Sequence, residues 1–380
     1  MAATVSLDAL RELAGFRAVK GCAISLYVDL DPQTTVNPGD VKARVNSLLD
    51  AGGRDGGFDT RTLTHDEKRA LKDDVERIRG YFDDEFDRDG ARGFALFCSG
   101  LDNLWRPLQL ASPVADDVRL ARGLYLAPLL PVLGRGEGAL VAVVGRERGQ
   151  LYRLRAGRLE EVLDQTEEAP SQHDQGGWSQ ANYQRHIDEL VGQHLKRVVE
   201  QIDRRVRREP SLRLVVVANE SVRSDLENRL SPPAQKAVVG WASAEAHAEP
   251  PQLLDVVGPV LDEARAQEER EALDRWREEA GRDGRATAGW KETLEAASDG
   301  RVDLLLVDLM ANHEAYHCPA CGRGQVGNGN CPLDGTRLER TSDGLDLAVH
   351  QTLQHGGAVR VTEAREELAP ADGIGALLRY

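Results

Sequence analysis

Gly176-Gly177-Trp178-Ser179-Gln180 stands between a polar stretch and a long run with helical periodicity. Two adjacent glycines lift the steric limits on the backbone, so a loop that carries them can enter a crowded site. Behind the pair, Tyr183, Ile187, Leu190, Val191, Leu195, Val198, Val199, Ile202 and Val206 recur at the spacing of one helix face. That spacing predicts an amphipathic stem for the loop. Gly-Gly ahead of a helix is by itself an ordinary loop. Its meaning depends on what else the chain carries.

Three features of the sequence bear on it. Gly176-Gly177-Trp178-Ser179 followed by Tyr183 and Arg185 resembles the Gly-Gly-Gln-Ser…Phe-x-Arg loop and stem of archaeal and eukaryotic class-1 release factors. Trp178 stands where that family carries its catalytic glutamine, and Gln180, two residues later, is not at the matching position. The ending Gly373-Ile374-Gly375-Ala376-Leu377-Leu378-Arg379-Tyr380 is similar to the Gly-Gly-Ile-x-x-x-Leu-Arg-Tyr ending of those factors and, more loosely, of Pelota, with Asp372 replacing the first glycine. Cys318-Pro319-Ala320-Cys321-Gly322 and Cys331-Pro332-Leu333-Asp334-Gly335 resemble the zinc-ribbon insertion of archaeal release-factor third domains.

The chain therefore resembles the bacterial homologues of archaeo-eukaryotic class-1 peptide chain release factors and Pelota, a group with mycobacterial members and a ribosome-hibernation factor. The match covers the middle and C-terminal thirds well and the N-terminal third faintly. It implies three α/β domains with mixed sheets: an N-terminal domain over 1–134, a ribonuclease-H-like domain with the Gly-Gly-Trp loop over 135–275, and a C-terminal domain over 276–380. A zinc-ribbon-like insertion at 316–336 belongs to the third.

A chain of 380 residues is long enough for several cores. Its formal charge of -15 argues against coating nucleic acid, DNA included. Cations nevertheless gather in two places. Arg146, Arg148, Arg153, Arg155 and Arg158 precede the loop; Lys196, Arg197, Arg204, Arg205, Arg207 and Arg208 follow on the stem. Each group reads equally as a solvated surface or as the footprint of one shaped RNA. The RNA-binding candidates are Arg185, Arg197, Arg204, Arg205, Arg207 and Arg208. The residues after Met1 lack the basic-plus-apolar pattern of a leader, and no apolar run approaches spanning length, so the expected location is the cytoplasm, away from membranes.

Period and punctuation give a coarse layout. Ala23–Val28 and Phe94–Cys98 read as strands flanking a charged helix over 66–86, and Gly134–Gly138 as a hinge. Ala139–Val144, Leu212–Ala218 and Lys236–Trp241 read as strands of the middle unit, and Leu253–Glu279 as a long linking helix. A helix over 290–297, a strand over 302–307, the cysteine segment, a helix over 345–354 and a strand over 358–361 complete the chain.

Ester hydrolysis on peptidyl-tRNA requires a placed water and a donor for the developing oxyanion. Trp178 keeps a backbone N–H but loses the amide, and its indole fills the place of the water. Losing one such donor costs about a hundred- to a thousand-fold in rate. An indole at a loop tip can instead stack on an unpaired base, or fold back on its own domain as an apolar plug. His173 and Asp174 have no nucleophile at a useful spacing, and no Gly-Lys-Ser/Thr phosphate loop is present.

Cys318, Cys321, Cys331 and Asp334 are spaced to meet a tetrahedral ion, with His317 or His313 as substitutes for the carboxylate; a folded ribbon without metal is the alternative. Cys22 and Cys98 lie in apolar runs and read as buried thiols. The family's stop-codon-reading Asn-Ile-Lys-Ser loop is missing, and Lys42 and Arg44 begin a helix in a similar place. The resemblance thus implies a translation factor that binds rRNA, with P-site tRNA as a neighbour, in the A site of idle or stalled ribosomes, for hibernation or rescue. It permits a translational GTPase such as elongation factor Tu as a partner. The alternative is a codon-independent peptidyl-tRNA hydrolase using Gln180. Structural zinc is the expected cofactor.

Overall fold

The structure is a computed structural model that describes residues 5–32, 38–55, 60–88, 90–133, 138–155, 157–166, 179–245, 247–282 and 284–380. The chain divides into two compact units, one of Met1–Arg135 with Glu269–Tyr380 and one of Gly136–Glu268.

The first unit opens with helix α1 (Leu7–Ala14), capped by the Ser6 hydroxyl, and a four-stranded antiparallel sheet. Its strands are β1 (Ala23–Asp29), β2 (Gly93–Ser99), β3 (Leu104–Leu110) and β4 (Asp117–Ala121), in the order β3-β2-β1-β4. β1 and β2 are apolar on both faces because both faces are covered. Ile24, Leu26, Val28, Phe94, Leu96 and Cys98 pack under helices α2 (Pro38–Asp55) and α3 (His65–Asp84). Tyr27, Ala95, Phe97 and Leu108 turn to the other side. The two-residue alternation of a strand sorts these sets without further instruction. Thr64 and Glu67 cap α3 reciprocally, so its N-terminus is fixed where the chain leaves a polar turn.

The second unit carries a five-stranded sheet in the order β7-β6-β5-β8-β9. β5 (Ala139–Val144), β6 (Gly149–Arg155) and β7 (Arg158–Asp164) are antiparallel, whereas β8 (Arg213–Ala218) and β9 (Val238–Ala242) run parallel to β5. Helix α4 (Ser179–Arg208) lays Leu195, Val198, Val199, Ile202 and Val206 on one face of that sheet, as its periodicity requires. Helices α5 (Glu220–Arg229) and α6 (Pro232–Ala237) sit on the same side. Leu253, Val257 and Leu261 of α7 (Pro250–Ala280) close the opposite face against Val141, Val143, Val215 and Val217.

The expected strand over 236–241 is displaced. Pro232 and Pro233 occupy the first helical positions of α6, and the turn they start runs through Lys236 before the strand begins at Val238.

The remaining residues complete the first unit. β10 (Ala286–Ala288), helix α8 (Trp290–Ser298), β11 (Val302–Val307), three short strands β12 (Ala315–His317), β13 (Gly324–Gln325) and β14 (Glu339–Thr341), helix α9 (Gly344–Gln354), β15 (Ala358–Val361), helix α10 (Arg365–Leu368) and β16 (Ile374–Leu378) follow in order. The main sheet is β10-β16-β11-β15, with β11 and β15 parallel. The C-terminal motif is therefore an inner strand of a sheet, buried through Ala376 and Leu377.

The first and last parts of the chain share one core. Leu10, Leu13, Tyr27, Phe97, Leu126 and Leu129 join Trp290, Leu294, Leu345, Ala348 and Leu353 in a single buried cluster. At its edge, Asp346 Oδ1 accepts the backbone N–H groups of Leu126 and Ala127 at 2.8 and 3.0 Å. Arg119 bonds Asp343 at 2.6 Å and stacks over Tyr125. His350 faces the backbone carbonyls of Ala14 and Leu124.

Candidate functional site

Two tight turns build the cysteine site, and they repeat each other atom for atom along the backbone. In the first, the Cys318 N–H donates to Arg323 O at 2.8 Å and the Gly322 N–H to Cys318 O at 2.8 Å. In the second, the Cys331 N–H donates to Thr336 O at 2.7 Å and the Gly335 N–H to Cys331 O at 2.9 Å. Gly322 and Gly335 take φ of 80° and 75°, the left-handed region where a side chain is strained. Asp334 thus occupies in the second turn the place that Cys321 holds in the first.

Strand β12, bonded to β13 on one side and β14 on the other, brings the turns together. The ligand atoms of Cys318, Cys321, Cys331 and Asp334 all lie within 4.8 Å of one another. Cys321 Sγ is 3.6 Å from Cys331 Sγ, and Cys318 Sγ is 3.4 Å from Asp334 Oδ2. With metal–sulfur bonds of about 2.3 Å, a tetrahedral site has edges of about 3.8 Å. The four groups fit a metal ion of that coordination. His317 does not join them, since its Nε2 faces Glu339 at 3.7 Å; His313 stacks on Trp290.

The electrostatics suit a cation. The backbone N–H and hydroxyl of Thr336 hold Asp334 down to about 2, so its carboxylate is ionised. Burial alone would raise Cys318, but the amides of Cys321 and Ala320 outweigh it and bring the thiol below its ordinary value. Partial desolvation of its sulfur and the neighbouring thiols push Cys321 up to about 11, although the residue as a whole is exposed. A bound ion supplies the charge that lets all three thiols ionise together.

The glycine loop is a different matter. Gly176, Gly177 and Trp178, with His173 and Asp174, lie outside the described residues, and Ser179 and Gln180 are described only as the first turn of α4. Arg185 on that helix is exposed. Farther along, Arg197, Arg204 and Arg208 recur at seven- and four-residue steps along one exposed stripe of α4. Arg207 pairs with Asp203 at 3.7 Å. Arg205 is half-buried and donates to the Gln201 and Val162 carbonyls; burial lowers its pKa, and Arg204 and Arg208 lower it further.

The hairpin arginines are largely committed within their own unit. Arg153 bonds Glu209 at 2.6 Å, Arg155 bonds Glu160 at 3.1 Å, and Arg148 donates to Ala248 O at 2.8 Å. In the N-terminal sheet region, Arg44 bonds Asp116 and the Asp29 carbonyl, and Lys42 donates to the Asp83 carbonyl at 2.9 Å. Cys22 and Cys98 are buried free thiols, as their apolar surroundings predicted. The Asp346 junction carried no sequence signal, because its partners lie some 220 positions away. Among the described residues, no helix is long and apolar enough to cross a membrane.

The chain is similar to known proteins along most of its length. Residues 125–269 match the model of bacterial archaeo-eukaryotic release factor family 10. The peptide chain release factor subunit 1 of Methanobrevibacter smithii is 24% identical over 288 residues, 67% of this chain and 68% of the relative. Its Archaeoglobus fulgidus counterpart is 26% identical over 208 residues, 52% of this chain and 51% of the relative. Among solved structures, an archaeal translation termination factor aligns over 99% of both chains at 17% identity and a TM-score of 0.27. The family-10 segment takes in the whole of the second compact unit, and in sequence it brackets the Gly-Gly-Trp stretch and its stem: over that segment this chain is similar to the bacterial archaeo-eukaryotic release factors.

Proposed function

We propose that this protein is a ribosome-associated factor that occupies the A site of idle or stalled ribosomes, in hibernation or rescue, without reading stop codons and without hydrolysing peptidyl-tRNA. The observation that carries the reading is Trp178, standing in the glutamine position of a Gly-Gly loop inside the family-10 segment. A release-factor-like body whose reactive position holds an indole keeps the means to reach the peptidyl-transferase region and loses the amide that places the water. Gly176, Gly177 and Trp178, with Ser179 and Gln180 in the first turn of the stem behind them, then enter that region. Arg185 and the Arg197, Arg204 and Arg208 stripe, with Arg205 and Arg207, meet rRNA, with P-site tRNA adjacent.

The strand order β7-β6-β5-β8-β9 supports reading the middle residues, 135–275, as a ribonuclease-H-like domain between an N-terminal domain over 1–134 and a C-terminal one over 276–380. Zinc in the cysteine cluster has a structural role: four ligands close the site and leave no position for a substrate. A translational GTPase such as elongation factor Tu is the delivery partner this plan accommodates.

The test is co-sedimentation of the purified protein with vacant ribosomes at moderate salt, together with release of labelled peptide from stalled complexes. Binding without release is expected, and Trp178→Gln is expected to gain release. Failure to co-sediment overturns the reading. So does peptide release by the natural sequence that disappears in Gln180→Ala.

A further inference from the structure

The cysteine cluster has one asymmetry that metal binding does not require. Three thiols and one carboxylate make an odd number of sulfurs, so one thiol is left over when two of them pair. Cys321 Sγ lies against Cys331 Sγ at 3.6 Å, while Cys318 Sγ, wholly buried, lies against Asp334 Oδ2 at 3.4 Å. Cys321 alone among the three thiols is exposed.

We propose that Cys321 and Cys331 are a redox-modification site: a peroxide converts this pair to a disulfide and ejects the metal, leaving Cys318 reduced. The ejection rests on the metal-site reading; the identity of the reacting pair rests on geometry alone. A disulfide needs sulfurs about 2.05 Å apart, so the two must close by about 1.5 Å. The segment joining them has open space around Gly327 and Gly329, where an added side chain would meet nothing within 4 Å. Cys318 is differently placed. Its sulfur accepts the Cys321 N–H at 3.4 Å beneath the first turn, and its nearest polar partner across the site is a carboxylate, which cannot form a disulfide.

The chemistry balances with a peroxide as oxidant. The exposed Cys321 thiolate attacks one peroxide oxygen, the O–O bond breaks, and the departing oxygen leaves as hydroxide and takes up a proton to become water. Cys321 is then a sulfenic acid. The Cys331 thiolate attacks the Cys321 sulfur, the S–S bond forms, the S–O bond breaks, and a second hydroxide is protonated to water. Two electrons pass from the two thiolates to the peroxide. Only the Cys318 thiolate and the Asp334 carboxylate would then remain to hold a bound ion. A fourth cysteine in place of Asp334 would have kept a dithiolate behind; the carboxylate makes the loss complete.

The segment that loosens is bonded to its surroundings. Gln351 Nε2 donates to Gly322 O at 3.0 Å, and the Ser298 hydroxyl is bonded to both the N–H and the carbonyl of Gly324, at 2.9 and 3.1 Å. Oxidation therefore reports into α8 and α9.

The full-length protein, loaded with zinc and assayed for metal content, is titrated with hydrogen peroxide while a chromogenic chelator reads free zinc. Peptide fragmentation then maps the thiols. The expected result is one zinc released per Cys321–Cys331 disulfide, Cys318 still open to alkylation, and reversal by dithiothreitol with zinc present. Asp334→Cys is expected to release zinc several-fold more slowly. A disulfide that includes Cys318, sulfinic acid without a disulfide, or zinc retained under tenfold excess peroxide overturns the proposal. A protein that takes up no zinc removes the metal reading and the ejection with it; the same map on that protein still decides the pair, and absence of the Cys321–Cys331 link refutes it.

Discussion

Replacing Asp346 with alanine tests whether the two ends of the chain are held together by specific hydrogen bonds or by apolar burial alone. Asp346 Oδ1 receives the N–H groups of Leu126 and Ala127, and both residues are buried, at 0% and 6% exposure. Truncation leaves two buried donors without an acceptor. Each such loss costs about 1–3 kcal/mol. The Asp346 side chain keeps 17% of its exposure, so water reaches part of the site and the lower half of that range applies. The expected cost is about 2–4 kcal/mol in all. In a unit of this size that lowers Tm by about 5–15 °C.

Asparagine is the informative control. Burial raises the Asp346 carboxyl above its ordinary value, against the pull of His350 and of the two amides. Asp346→Asn keeps the oxygen that receives both N–H groups, and its cost is expected to stay under about 1.5 kcal/mol. Urea unfolding of both variants, followed by circular dichroism and by tryptophan fluorescence, gives the two numbers. If asparagine costs as much as alanine, charge rather than the paired amide bonds holds the junction. If alanine costs under about 1 kcal/mol, the amides find water and the paired bonds to Asp346 do not hold the junction.

Three further outcomes follow from the geometry. Chelation, or Cys331→Ser, should speed hydrogen exchange across residues 316–336 while the global unfolding midpoint moves little, because the cluster of Cys318, Cys331 and Leu338 is small and separate from the main core; a collapse of the whole transition would contradict this. The Glu67 carboxylate accepts the Thr64 amide and hydroxyl and the Gly21 amide, which hold it below the ordinary carboxylate range. Stability from these bonds is complete above the unfolded-state value and is lost as pH falls through the lower folded-state value, so urea midpoints measured from about pH 6 to about pH 3 should fall less steeply in Glu67→Gln than in the natural protein. Gly375→Ala would set a methyl 2.6 Å from the Trp276 indole nitrogen, which itself donates to Thr287 O at 2.8 Å, and should destabilise by about 1–3 kcal/mol in the same unfolding assay; no loss would mean the indole moves aside freely.

Where one residue's neighbours along the chain are also its neighbours in space, the sequence was easy to read. The α4 face from Leu195 to Val206, the buried strand Ala139–Val144 and the paired turns at Cys318 and Cys331 all follow from local periodicity or spacing. The cluster of Cys318, Cys321, Cys331 and Asp334 was legible for the same reason, since each turn is a five-residue object and only their meeting had to be supplied by β12. What escaped was long-range. Arg119 and Asp343 are 224 positions apart, and neither carries any mark of the other. The ending at Ile374–Leu378 was visible as a motif but not as an inner strand, because its partners β10 and β11 lie far upstream. The stem arginines were visible as charge, but periodicity could not say that Arg207 turns to Asp203 while Arg197, Arg204 and Arg208 form a stripe.

The core shared by the two ends of the chain dictates an order of events during synthesis. One face of the N-terminal sheet, with Tyr27, Phe97 and Leu108, is completed by Trp290, Leu345 and Leu353, which are made more than 200 residues after β1. All the strands of the Gly136–Glu268 unit are made before any of those residues, so that unit can finish folding while one face of the first sheet still lacks part of its cover. Closing so long an interval makes the last step slow, and a nascent chain paused near its middle exposes the surface most prone to wrong association. The vulnerable moment of this protein's life is thus set by topology: it begins when β2 pairs with β1 and ends only when β16, whose Ile374 and Ala376 belong to the same cluster, leaves the ribosome that is making it.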